Sequence, residues 1–165
     1  GCSEKLNIIS SIEGVSNRKY NPIRGATPAE IVSKIMDFFS WSNEFFESQS
    51  SMAILKVSKY LLKITPQWKK YFDLHDVLRL LKDSSFFVSL EKEYGVFKDE
   101  PAELEAFKSR LYSKSGRENI QGLTTKLELI LSSNIGNILI DDQKEESSLE
   151  RFIKNKKFII KTERK

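Results

Sequence analysis

Half of the aromatic residues in this chain fall between Phe38 and Phe72, and a cluster that dense is either the heart of a core or a surface that grips something. The stretch opens on Thr27-Pro28-Ala29-Glu30, which has the form of a helix start. Thr27 can accept from the Glu30 amide while Glu30 reaches back to the Thr27 amide, and Pro28 fits the first helical position, where its missing N–H costs nothing. Ile31, Ile35, Phe38, Phe39, Ser42, Phe45 and Phe46 then recur at helical spacing, with Val32, Met36 and Trp41 widening the stripe. The pattern predicts a central helix over 28–48 and a break at Gln49-Ser50-Ser51. A second helix follows on Ile54, Val57, Leu61 and Ile64 and stops at Thr65-Pro66, with a short helix of its own over 67–72 that puts Trp68 and Phe72 on one side.

Downstream the signals continue in the same style. Asp73 is a helix-start residue with Asp76 three positions on, and Val77, Leu78 and Leu81 form the apolar side. Ser84 or Ser85 is expected to cap a segment through Phe86, Phe87 and Leu90 that ends before Gly95. Pro101 opens a helix on Leu104, Phe107, Leu111 and Tyr112, with Lys114 at its negative end and Gly116 beyond. The next is expected over 118–132, on Ile120, Leu123, Leu127, Ile130 and Leu131. The apolar run 137–140 reads as a strand or a fraying helix end, and a small β ribbon pairing it with 157–161 is an option that needs packing on the body to persist.

At 165 residues the chain suits one domain able to bury a core without metal or disulfide help. The expectation is an all-α, single-domain bundle of about six or seven helices. Residues 1–26 form an N-terminal arm or short helix, 27–150 the helical domain and 151–165 a basic C-terminal segment. The net charge of +4 is unevenly placed. Residues 151–165 hold seven Lys or Arg against Glu163 alone, a net +6, which leaves −2 for the first 150 residues. The single cysteine, Cys2, excludes an internal disulfide framework and is compatible with a reducing compartment.

Catalytic chemistry finds little support. The one histidine, His75, stands between Asp73 and Asp76, but a zinc site wants three or four ligands at recognisable spacing, and both aspartates are better explained by the helix start. There is no glycine-rich phosphate loop, and the carboxylates Glu91, Glu93, Glu103, Glu105 and Glu128 fall on solvent faces. No cofactor, metal or catalytic residue is expected.

Three function classes remain. The first is a non-enzymatic, helical protein-interaction module with Phe38, Trp41, Phe45 and Phe46 as candidate partner-binding residues, since adjacent ring pairs cannot all face one core. Against it stands a central helix buried on several sides, which the periodicity favours for most of these rings. The second is nucleic-acid binding through Arg151, Lys154, Lys156, Lys157 and Lys161, although Phe158, Ile159 and Ile160 speak for a tail that docks on the body. The third is a lipid-anchored surface protein that binds a protein partner. Gly1-Cys2-Ser3 resembles the acylation site of a mature bacterial lipoprotein, and Cys2 is the candidate lipidation site. A myristoylated Gly1 fits less well because Lys5 stands where Ser or Thr is preferred. Finally, ILKVSKYLLKIT and VLRLLK, within Ile54 to Tyr112, resemble helical modules such as the amino-terminal domain of transcription elongation factor S-II, but the Lys-Trp signature of that family is missing and no family is assigned.

Overall fold

The computed structural model describes residues 19–141. Among the described residues seven helices follow one another: α1 (Pro28–Phe38), α2 (Glu44–Trp68), α3 (Leu74–Lys82), α4 (Ser84–Tyr94), α5 (Pro101–Tyr112), α6 (Lys114–Asn119) and α7 (Gln121–Leu131). Helix occupies 69% of the described residues and strand none, so the chain is an all-α single domain.

The centre is α2, not a helix over 28–48. Helix α1 begins where expected, with the Thr27 hydroxyl accepting from Glu30 N at 3.2 Å, but it ends at Phe38 because Phe39 is extended. The Trp41 indole N–H then donates to the Met36 carbonyl at 2.8 Å, satisfying one of the carbonyls a helix end leaves free. Asn43 caps α2, and the helix runs through 49–51 without interruption. Polarity alone does not stop a helix; no glycine or proline stands there, Ser50 is buried, and Gln49 accepts from Arg110. Nor does α2 stop at Pro66. The proline removes one backbone bond in the last turn, the Thr65 hydroxyl donates to Leu61 O at 3.1 Å, and Lys69 closes the helix in the left-handed region at φ 53°. The short helix over 67–72 is therefore absent. Trp68 is exposed and packs on Tyr94 at 4.8 Å, while Phe72 is half-buried in the strap that leads to α3.

Around α2 the other helices close one hydrophobic cluster. Helix α1 lies along it, α3, α5 and α6 also touch it, and α3 in turn packs on α4, α5 and α7. The aromatic heart is drawn from distant segments: Tyr60 of α2, Phe87 of α4, Phe97 of the following turn and Phe107 of α5, with Phe87 and Phe107 stacked at 4.4 Å. Asp73 and Asp76 build the expected capping box on α3. Asp83, rather than either serine, caps α4 by accepting from Ser85 N at 2.9 Å, and α4 ends at Gly95 as expected. Gly116 does not end α5. Ser113 separates α5 from the short α6, Gly116 lies inside α6, and Ile120 divides α6 from α7.

After α7 the chain turns back on itself instead of extending. Gly136 N bonds Ser133 O at 3.0 Å and Ile138 N bonds Ile135 O at 3.0 Å, so 137–140 is bent backbone and not a strand. A Cβ on Gly136 would collide with the Leu131 carbonyl, which only glycine avoids. Tyr20 N donates to Ile138 O at 2.8 Å, which brings residues 19–26 against this turn. Asp141 is buried: Asn21 donates to its carboxylate at 2.8 Å and Arg24 lies 3.5 Å away. The proposed pairing partner 157–161 lies outside the described residues.

Candidate partner-binding surface

Ser50, Ala53, Ile54, Val57, Ser58, Tyr60, Leu61 and Ile64 face the core from α2. Along the edge of that face runs a stripe of Phe45, Gln49, Met52, Lys56, Lys59 and Lys63, at spacings of four and three that return to one side of a helix; Phe45, Met52, Lys59 and Lys63 are exposed, Gln49 and Lys56 half-buried. Asn43 fixes the entry: its side chain accepts from Phe46 N at 3.1 Å, which sets the backbone that carries both phenylalanines.

The four aromatic candidates divide into two pairs. Phe45 and Phe46 are 54% and 45% exposed, their rings 5.3 Å apart edge to face. Phe46 is in helical register with Ser50, Ala53 and Val57, yet this inward-type position is not covered. Phe38 and Trp41 are half-buried, so they are drawn into the body rather than presented. Phe38 packs against Phe39 at 5.1 Å and lines a small apolar hollow with Ile35, Leu127 and Leu139. Trp41 has its N–H bonded to Met36, Phe39 against its edge at 6.4 Å, and the Lys126 ammonium 5.1 Å over its ring. Met52, 41% exposed and on the same stripe as Phe45, was not among the expected residues. The stripe from 45 to 63 was legible as a period once the break at 49–51 is removed.

Beside Gln49 lies a polar bay of about 360 Å³ between α2, α5 and α6, lined by Ser109, Arg110, Ser113, Gly116 and Asn119 among others. The Arg110 guanidinium donates to Gln49 Oε1 at 2.9 Å across it. The apolar hollow under Phe38 holds only about 40 Å³, far below the ~300–1,000 Å³ of a small-molecule site. The bay can offer hydrogen bonds and one positive charge; its lining carries no histidine, cysteine or carboxylate.

His75 donates from Nε2 to Gly136 O at 2.7 Å, pinning the turn after α7 to α3. Among the described residues no group of three or more His, Cys, Asp or Glu is arranged to hold a metal, and no helix is long and apolar enough to cross a membrane. Arg24 stacks on Tyr71 at 4.3 Å and Lys19 donates to Asn137 O, so both serve the fold. Cys2, Arg151, Lys154, Lys156, Lys157 and Lys161 lie outside the described residues. No protein-family model, curated protein or solved structure matches this chain.

Proposed function

We propose that the chain is a non-enzymatic helical protein-interaction module that meets its partner on the outer edge of α2. The observation that carries this reading is the shared exposure of Phe45, Phe46 and Met52 on a helix whose other face is fully buried. Covering a large apolar side chain is favourable by about 1.5–3 kcal/mol, and aromatic residues and Met are enriched in the centres of interfaces. Asn43 and the core behind α2 hold these side chains on a rigid element, so little order has to be gained on binding.

A photo-reactive phenylalanine analogue tests the reading in the native cell. Placed at Phe45 it should give a discrete protein adduct on irradiation, and placed at Leu129, which is 69% exposed on α7, it should not. The same adduct at both positions, or none at either, overturns the reading.

A second reading, nucleic-acid binding, rests on the net +6 of residues 151–165. It does not involve the α2 edge and is tested separately by removing that segment.

A further inference from the structure

Resting on the interaction reading, we infer that the partner presents an acidic amphipathic helix, laid along α2 from Phe45 to Lys63. The stripe changes character along its length: Phe45, Gln49 and Met52 first, then Lys56, Lys59 and Lys63. Its spacing of four, three, four, three and four is that of a helix–helix seam, which a second helix follows in register. The stripe contains three ammonium groups and no carboxylate; the acids of this end, Glu44 and Glu47, lie off it in the first turn. Lys63 stays close over the Phe97 ring at 5.6 Å, so its charge is held near the helix and not free to sweep the solvent.

A complementary segment therefore carries apolar anchors for Phe45 and Met52 at one end and carboxylates for the lysines at the other. The stripe is about 27 Å long at ~1.5 Å per residue, so some eighteen residues of helix cover it. Glu44 and Glu47 would repel those carboxylates from the aromatic end, which fixes the direction of the partner. A second copy of this chain does not fit. Laid parallel, lysine meets lysine; laid antiparallel, Phe45 meets Lys63 and Met52 meets Lys56, and no carboxylate enters either way. A membrane surface fits poorly too, since apolar and cationic residues follow each other along one stripe instead of occupying opposite faces.

The probe is a library of random 20-residue peptides displayed on phage and selected on the immobilised full chain. Two variants serve as counter-targets, one with Phe45→Ser, Phe46→Ser and Met52→Ser, the other with Lys56→Glu, Lys59→Glu and Lys63→Glu. Circular dichroism establishes that both fold, and Lys→Gln changes replace the reversal if it does not. Recovered peptides should combine Asp or Glu with apolar residues at helical period and lose roughly tenfold or more in affinity on each variant. Peptides that need the aromatic edge but not the lysines, or that show no acidic excess, overturn the inference and leave the interaction reading standing. If no peptide responds to the aromatic variant, both fall. Binding of the full chain to phosphatidylserine vesicles, lost on charge reversal, would assign the stripe to a membrane and also overturn the inference.

Discussion

Tyr60 shows how much one side chain integrates. Its ring lies within 5.1–5.4 Å of Phe87, Phe97 and Phe107, and its hydroxyl donates to Glu91 Oε1 at 2.7 Å. The same carboxylate accepts from Phe97 N at 3.1 Å, so one acid ties α2 to α4 and to the turn after it. Burial first, and then the bond to Glu91, push the Tyr60 ionisation far above the ordinary 10.0. Burial raises Tyr112 in the same sense. A group whose pKa is raised on folding contributes stability that is complete below its unfolded value and lost as the pH climbs above it. The protein should therefore lose stability above about pH 10. Tyr60→Phe removes the bond but keeps the ring; it should cost about 1–2 kcal/mol at neutral pH and flatten the alkaline loss. Urea unfolding of both proteins at about pH 7 and pH 10.5 measures this, and identical stability with an identical alkaline slope would deny the bond any role.

Two glycines separate helix propensity from packing. Gly→Ala inside a helix normally gains up to about 1 kcal/mol. At Gly122, in the first turn of α7, an added Cβ meets nothing within 4 Å, so Gly122→Ala should raise the melting temperature. At Gly116 the added Cβ would collide with the Arg110 carbonyl oxygen and stand 2.9 Å from its carbon. Backbone cannot yield there without parting α6 from α5, so Gly116→Ala should destabilise by about 1–3 kcal/mol despite the better propensity. Thermal unfolding of the two single variants decides it; shifts of the same sign would mean that α6 sits less tightly on α5 than this approach implies. The difference was not legible in sequence: Gly116 stands where a helix terminator is expected, and a glycine at 122 only weakens the first turn of the helix expected over 118–132.

Across the whole chain, the net positive charge is concentrated in residues 151–165. The body carries −2 and residues 151–165 carry +6, so electrostatic attraction to nucleic acid should reside in that segment. If the chain binds nucleic acid, a gel shift with generic DNA and RNA should show binding at low salt that falls steeply as salt rises and disappears on deletion of 151–165. Salt-resistant binding by the shortened chain would overturn this. If the segment docks through Phe158, Ile159 and Ile160 instead, its deletion should lower stability and leave adducts at Phe45 intact.

By itself the sequence determined where α1, α3 and α5 begin and which positions of most helices are apolar. Thr27, Asp73 and Pro101 are local chemistry, because a cap or a proline acts on amides within four residues of it. Leu123, Leu127 and Leu131 face the core because one period places them together. Tertiary structure decided which apolar side chains are covered. A period marks a face but carries no information about what lies over it, so Phe46 repeats the register of Ser50, Ala53 and Val57 and still stands in water. The same reason made the dense aromatic stretch misleading: of its rings only Tyr60 is fully buried, and its companions come from α4, α5 and the turn between them. The burial of Asp141 likewise depends on Asn21 and Arg24. The partners of Asp141 are distant in the chain, and only the folded molecule brings them together.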